Sequence, residues 1–167
     1  MKTFVLDANN IIHKDSELKR TFDTTPAGAT AALLHLIEQY NSKYPSYKFS
    51  IFFDSHQELF PKYSTVSLKW STNGEDADTL IKKHLETTSK VSSLIVVSSD
   101  GEVISNAKRY NCSVLTSEEF LAILKPKAAK NNIPSQSQSL HSTSEKPNRI
   151  TKKEMLEFKE IFTSKKP

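Results

Sequence analysis

Short apolar runs alternate with helical patterns along the first 124 residues of the chain. Runs that are apolar throughout are typical of strands covered on both faces, as in a parallel sheet. Three such runs predict buried strands at residues 3–6, 48–53 and 93–98, and residues 112–116 predict a weaker fourth. Residues 65–70 alternate between apolar and polar positions, which predicts a half-exposed strand at an edge of the sheet.

Segments with apolar residues at helical spacing lie between most of these strands. Thr25 and Pro26 form a helix start, with proline at the first helical position, and apolar residues then recur at helical spacing as far as Tyr44. Further helices are predicted at about 76–88, from about 101, and over 118–124. The residues that follow the first strand are predicted as a long loop. Strands that alternate with helices imply right-handed crossovers and a mainly parallel, three-layer α/β/α fold.

The end of the chain has a different composition. Residues 1–124 carry 13 basic and 15 acidic residues, net −2, whereas residues 125–167 carry 10 basic and 4 acidic residues, net +6. Residues 125–149 are rich in Ser, Asn, Lys and Pro, which predicts a disordered linker. Residues 150–167 regain a helical pattern with one apolar face, and Thr151 and Glu154 fit a capping box. We expect this helix to dock on the domain 1–124 or on a partner.

Composition excludes several classes of protein. Cys112 is the single cysteine, so an intrachain disulfide and a cysteine-based zinc site are excluded, and we expect a small core residue within a strand. Three glycines are too few for a Walker loop or a GxGxxG turn. No apolar run approaches the ~18–20 residues of a membrane span, and the apolar start is too short for a signal peptide. The expected location is therefore the cytoplasm.

Acidic residues follow the strongest predicted strands. Three of these strands run into an aspartate, namely Asp7, Asp54 and Asp100. In an open parallel sheet the carboxyl ends of neighbouring strands share one edge, where ligands bind. Asp78 lies in the first turn of its helix and shares a face with the apolar positions of that helix, so it is expected at the same rim. Four carboxylates are therefore expected to converge.

Convergence of four acids suggests a cation. Like charges ~4 Å apart repel by roughly 4 kcal/mol per pair at an effective dielectric near 20. Mg²⁺ or Mn²⁺ removes this repulsion, because hard divalent cations prefer carboxylate and water oxygens. Each acid also has a simpler interpretation. Asp100 and Asp76 are N-cap candidates. Asp54 can open a polar loop, and Asp7 can begin a turn with the two asparagines after residue 8.

Short motifs around these acids resemble one family. Asp7-Ala8-Asn9-Asn10 resembles the DGxN opening of NYN domains, in particular the YacP-like branch of the PIN-like nuclease superfamily. The further matching motifs are Phe52-Phe53-Asp54, Glu75-Asp76-Ala77-Asp78, Val96-Val97-Ser98-Ser99-Asp100 and Glu118-Glu119-Phe120. They occur in the family's order across roughly residues 1–124.

The sequence departs from the family pattern at three places. Ala8 replaces the usual glycine, and Asn9 stands where an aromatic or small residue is common. Gly101 and Glu102 stand where this branch frequently has an arginine after Ser-Asp, which leaves Glu102 as a candidate extra acid.

The resemblance implies a metal-dependent ribonuclease, more specifically an endoribonuclease, that uses Mg²⁺ or Mn²⁺. The implied catalytic residues are Asp7, Asp78, Asp100 and Asn10, the implied metal ligands are Asp7, Asp54, Asp78 and Asp100, and the implied supporting residues are Ser99 and Asp76. Asn10 is expected to orient Asp7 or to contact a phosphate. A water activated by the metal would attack the phosphodiester in line.

Basic and aromatic residues near the acidic rim suit single-stranded nucleic acid, through phosphate contacts and base stacking. The candidate RNA-binding residues are Lys14, Lys19, Arg20, Lys69 and Trp70. Ordinary surface charge and a tryptophan packed in the core are the alternative interpretation. The expected partner is RNA, single-stranded or ribosome-associated, with no membrane; a homodimer is left open.

Two other functions compete with cleavage of RNA. The first is an RNA- or ribosome-binding module of the same fold that has little or no activity. The second is a phosphotransfer protein. A receiver domain needs an acidic pair near the first strand, and a haloacid-dehalogenase-like phosphatase needs Asp-x-Asp, whereas residue 9 is Asn.

Overall fold

Five strands and six α-helices alternate in the computed structural model, which describes residues 2–54, 65–72 and 74–126. The strands are β1 (Lys2–Asp7), β2 (Tyr47–Phe53), β3 (Val66–Trp70), β4 (Leu94–Val97) and β5 (Ser113–Leu115). The helices are α1 (Ala8–Lys14), α2 (Ser16–Thr24), α3 (Pro26–Lys43), α4 (Ala77–Thr87), α5 (Gly101–Arg109) and α6 (Ser117–Leu124), with a 3-10 turn at Val91–Ser93. The α/β class and all five predicted strands are confirmed.

The sheet has the strand order β3-β2-β1-β4-β5, and every pair of neighbouring strands in the described part of the chain is parallel. The alternating segment 65–70 is an edge strand, as predicted. A receiver domain has the order 2-1-3-4-5, so the observed order excludes that alternative.

Helices cover both faces of the sheet and create two cores. On one face the Phe4 ring stacks on Phe49 at 5.3 Å and tilts against Phe120 at 5.5 Å, beneath α1, α3 and α6. On the other face Val5 and Phe52 pack against the inward residues of α4 and α5. This arrangement confirms the three-layer fold, and it leaves the strand ends as the place where polar groups gather.

The long loop predicted after the first strand is wrong, because α1 and α2 occupy this region. Each helix begins at an aspartate that accepts hydrogen bonds from the first turn. Asp7 Oδ1 accepts from the Asn10 amide at 3.1 Å. Asp15 Oδ1 accepts from the Glu17 and Leu18 amides at 3.1 and 2.9 Å. These caps stabilise two short helices whose apolar periodicity is too brief to predict them.

Two further expectations are corrected or left open. Cys112 is fully buried, as predicted, but it lies one residue before β5 rather than within a strand. The predicted linker 125–149 beyond residue 126 and the predicted helix 150–167 lie outside the described residues. Among the residues that the structure describes, no helix combines the length and apolar character needed to cross a membrane.

Candidate active site

The structure brings the four acids to the carboxyl edge of the sheet. Asp7 ends β1, and Asp54 directly follows β2. Asp100 lies three residues beyond β4 and begins α5, while Asp78 lies in the first turn of α4. Because β2, β1 and β4 are adjacent and parallel, these residues share one rim.

Each of the three acids that follow a strand also accepts hydrogen bonds from backbone amides of the next packed helix. Asp7 Oδ1 accepts from Asn10 in α1. Asp54 Oδ1 accepts from the Ala77 amide of α4 at 2.6 Å. Asp100 Oδ1 accepts from the Glu102 and Val103 amides of α5 at 2.7 and 3.3 Å. The N-cap interpretation of Asp100 is therefore correct. It does not exclude metal binding, since each of these bonds uses only one carboxylate oxygen.

Asp7 is the most enclosed of the four acids, with 4% of its surface exposed. Its Oδ2 accepts a hydrogen bond from Ser98 Oγ at 2.8 Å. The same serine oxygen accepts from the Asp100 backbone amide at 3.0 Å. Burial raises the pKa of Asp7, its hydrogen bonds oppose this effect, and the charges of Asp54 and Asp100 raise the pKa further. Ser98 thus links two of the acids through one buried hydroxyl.

The carboxylates interact electrostatically. The pKa of Asp78 is raised to about 6, first by burial and then by the negative charges of Asp7, Asp100, Asp76 and Asp54. Within the described residues, no lysine or arginine forms an ion pair with Asp7, Asp54, Asp78 or Asp100. The cluster therefore carries negative charge that is not balanced by a basic side chain there.

Asp76 behaves differently from these four. It caps α4 by accepting from the Thr79 backbone amide at 2.8 Å, and hydrogen bonds from the side chain and the backbone of Thr79 lower its pKa. Asp76 is therefore the N-cap that the sequence suggested. Its charge contributes to the raised pKa of Asp78.

The donor set fits a hydrated divalent cation. The available ligands are carboxylate oxygens, and burial, followed by their mutual repulsion, raises the pKa of Asp7 and Asp78. Among residues 2–54, 65–72 and 74–126, however, no group of three or more Asp, Glu, His or Cys side chains is arranged to hold a metal ion. Mg²⁺ usually keeps several waters and binds one or two carboxylates directly. The residues present therefore fit an ion held partly through water.

Asn10 has a fixed orientation. Its Oδ1 accepts from the Ser99 backbone amide at 2.9 Å and from Ser117 Oγ at 2.7 Å. A backbone N–H can only donate, so the atom facing it is the amide oxygen rather than the nitrogen. The Nδ2 group of Asn10 is consequently the end that remains to donate to a ligand.

Ser99 does not hydrogen-bond to any of the four acids of the rim, although the sequence suggested that it supports them. Its hydroxyl donates to Glu118 and accepts from the Ser117 amide at 3.1 Å. Lys14 Nζ lies 3.2 Å from the other oxygen of Glu118. Ser99 therefore acts on the site through its backbone amide, which holds Asn10.

The five candidate RNA-binding residues do not form one surface. Lys14 pairs with Glu118 at the end of α1, whereas Lys19 and Arg20 are exposed on α2. Lys69 and Trp70 are consecutive in β3 and face opposite sides of the sheet. The Trp70 ring stacks on Phe53 at 4.2 Å against the first core, which favours the core interpretation of this tryptophan.

Sequence reasoning missed two serines that organise the site. Ser98 and Ser117 are both fully buried. Ser98 holds Asp7, and Ser117 holds Asn10. The available signal was the position of Ser98 between a buried strand and an acid, and that of Ser117 at the first position of α6.

Comparisons with known proteins place the chain in a family. Two crystal structures of Rae1 (YacP) from Bacillus subtilis resemble this fold. One of them has a TM-score of 0.62 and 20% identity, and covers 74% of each chain. The other, a tryptophan-to-leucine mutant, has a TM-score of 0.63 and 19% identity, and covers 74% of this chain and 75% of its own. A comparison with curated proteins gives no significant match. A family model, the YacP-like NYN domain, matches residues 4–163. The chain therefore belongs to the YacP-like NYN domain family.

Proposed function

We propose that this protein is a divalent-metal-dependent ribonuclease, acting as an endonuclease, with its centre at the rim formed by Asp7, Asp54, Asp78 and Asp100. The family implies a PIN-like nuclease fold. The observation that carries the proposal is the gathering of four acids at one sheet edge, where burial and then the neighbouring negative charges raise the pKa of Asp78 to about 6. Carboxylates that raise one another's pKa and have no basic partner among the described residues mark a candidate functional site, and a divalent cation would remove their repulsion.

Asp7 is the central ligand in this proposal. It accepts hydrogen bonds from the Ser98 hydroxyl and from the backbone amide of Asn10, so its carboxylate keeps one position at the rim. Asp78, Asp100 and Asp54 complete the set from α4, α5 and the end of β2. A bound Mg²⁺ or Mn²⁺ would neutralise these charges and polarise the phosphodiester.

Asn10 supplies a donor to the substrate. Because Ser99 and Ser117 occupy its oxygen, its Nδ2 group is available to donate to a non-bridging phosphate oxygen. This contact would orient the phosphodiester relative to the acids, so that a water can attack phosphorus opposite the leaving oxygen.

The test is cleavage of a panel of single-stranded and structured RNAs with Mn²⁺, Mg²⁺ or EDTA. The wild type is compared with Asp7→Asn and with Asp23→Asn, which removes an exposed carboxylate of α2. We expect metal-dependent cleavage by the wild type and by Asp23→Asn. In Asp7→Asn the cleavage rate should fall by a factor of about 100 or more. Cleavage that continues in EDTA or in Asp7→Asn would contradict the proposal.

A second candidate is an RNA- or ribosome-binding module of this fold without useful turnover. The observation in its favour is that no three metal-binding side chains in the described part of the chain are arranged around one point. This alternative predicts binding that is insensitive to metal and to Asp7→Asn. Absence of cleavage together with such binding would favour it over the ribonuclease.

A further inference from the structure

A ring of hydrogen bonds joins α1, the turn before α5 and the start of α6. The Ser99 backbone N–H and the Ser117 hydroxyl donate to Asn10 Oδ1 at 2.9 and 2.7 Å. The Ser117 backbone N–H donates in turn to Ser99 Oγ at 3.1 Å, which closes the ring. The carboxamide oxygen of Asn10 is therefore held by two residues that also hold each other.

Glu118 fixes the direction of this ring from its solvent side. Its carboxylate accepts a hydrogen bond from Ser99 Oγ. An ionised carboxylate can only accept, so the Ser99 hydroxyl must donate to it and keeps its lone pairs for the Ser117 N–H. The hydrogen bond from Ser99 lowers the pKa of Glu118, which keeps the carboxylate ionised at neutral pH. Without this acceptor the Ser99 hydroxyl would be free to rotate.

Lys14 holds the other oxygen of the same carboxylate. Its Nζ lies 3.2 Å from Glu118 Oε1, whereas Ser99 donates to Oε2. Lys14 lies four residues after Asn10, so the two side chains share one face of α1. Both members of the ion pair are about half exposed, and such pairs add little to stability. The pair therefore serves mainly to keep the Glu118 carboxylate turned towards Ser99.

Formation of α6 does not require Glu118. Thr116 and Glu119 form a complete capping box at the start of this helix. Phe120, Leu121 and Leu124 anchor the same helix in the first core. The helix thus has its own cap and its own packing, and the Glu118 carboxylate is left to act on Ser99.

We propose that Glu118 is a positioning residue of the active site, on the assumption that the proposed ribonuclease function holds. Glu118 orients the Ser99 hydroxyl, and Ser99 and Ser117 hold the oxygen of Asn10. Asn10 then presents its Nδ2 group to a phosphate oxygen. Glu118 does not touch the substrate and acts through these three residues. The first turn of α6, which carries none of the four acids of the rim, is consequently part of the site.

The first test measures the motion of the Asn10 side chain without substrate. In the full chain labelled with ¹⁵N, the heteronuclear NOE of the Asn10 Nδ2 group reports motion on the picosecond-to-nanosecond timescale. We expect a restrained group in the wild type and in Glu118→Gln, whose amide oxygen still accepts from Ser99. Glu38→Ala, which removes an exposed carboxylate from α3, should also keep it restrained. In Glu118→Ala the group should become mobile. An equally restrained Asn10 in Glu118→Ala would overturn the proposal.

The second test is a double-mutant cycle with Asn10→Ala, measured as kcat/KM of metal-dependent cleavage. We expect Glu118→Ala to lower kcat/KM by about 3- to 10-fold when Asn10 is present, which corresponds to the loss of one hydrogen bond. In the Asn10→Ala background the same change should have less than a twofold effect, because the two residues act in series. Glu118→Gln should keep at least half of the wild-type value. Equal losses in the two backgrounds would indicate a general structural effect and would overturn the proposal.

These readouts separate the positioning role from the proposed function. Absence of metal-dependent cleavage in the wild type would contradict the ribonuclease, and the motion of Asn10 would still decide whether Glu118 holds it. Cleavage by the wild type together with an unchanged Asn10 in Glu118→Ala would support the ribonuclease and remove the role of Glu118.

Discussion

The two faces of β2 and β3 have opposite chemistry although they belong to the same strands. On one face Phe49, Ile51 and Phe53 pack with β3 residues in the first core. On the other face Ser50 and Ser67 line an open groove at the amino ends of the strands, while Phe52 packs in the second core. The alternation of a strand therefore lets a single segment pack apolar side chains on one side and present polar side chains on the other.

The central strands differ from the strands near the edge, because they carry apolar residues on both faces. β1 and β4 are buried on both faces, with residues 4–6 and 95–97 almost fully enclosed. Polar groups are tolerated there only at the strand ends, where Asp7 and Ser98 find hydrogen-bond partners. At the edge of the sheet Ser67 and Lys69 of β3 stand on the α4 side, whereas Phe52 of β2 on the same side stays in the second core. Substitutions on the two faces should consequently differ in kind.

Phe49→Ala should cause the largest effect. Phe49 is 1% exposed and stacks on Phe4 at 5.3 Å. Truncation of a buried aromatic side chain leaves a cavity and costs about 3–5 kcal/mol. Urea unfolding at pH 7 would measure this loss, with Ser67→Ala on the other face as the control. A loss below about 1 kcal/mol would show that the apolar face does not stabilise the fold.

Ser98→Ala should lower stability by about 1–3 kcal/mol at pH 7, because it removes a donor from the buried carboxylate of Asp7. The loss should shrink at acidic pH. Without the serine the folded-state pKa of Asp7 rises further, so the variant loses stability as Asp7 ionises with increasing pH.

Ser117→Ala is the matched control for this pH dependence. Ser117 is equally buried, but its hydroxyl donates to the side-chain oxygen of Asn10, which carries no charge. The decrease in unfolding free energy caused by Ser117→Ala, measured by urea unfolding, should therefore stay the same across the pH range. Identical pH profiles for the two serine variants would contradict the role assigned to Ser98.

Asp78→Asn should raise Tm in EDTA at pH 7.5, by a few degrees at most because Asp78 is half-buried and water screens the repulsion. Its folded-state pKa of about 6 lies above the unfolded value, so its ionised form destabilises the fold as pH rises through about 4 to 6. The gain should disappear at pH 4. A variant that is less stable than wild type at pH 7.5 in EDTA would contradict the account of the acidic rim.

The sequence predicted the sheet because its strands are short, apolar and followed by acids. β4 is an example, since residues 93–98 are apolar at their centre and Asp100 comes soon after. The same reasoning placed the four acids at one edge. It failed for α1 and α2, where cap hydrogen bonds of Asp7 and Asp15 stabilise helices of 7 and 9 residues.

The contacts within the site could not be predicted in the same way. The bond from Ser98 to Asp7 joins residues 91 positions apart, and that from Ser117 to Asn10 joins residues 107 apart. No local pattern specifies such partners, since they depend on how β1, β4 and α6 pack. By contrast, Lys69 and Trp70 are consecutive in a strand, so their side chains must point to opposite sides of the sheet. This arrangement could have been predicted from the sequence.

Ser67→Val should have the smallest effect on stability and gives the sharpest contrast between the two faces. Ser67 is exposed, so we expect a change within about 0.5 kcal/mol in urea unfolding, as for other surface positions. Valine also favours the strand, which opposes any loss from the hydroxyl. A loss of stability like that of Phe49→Ala would show that both faces of the edge strand serve the core.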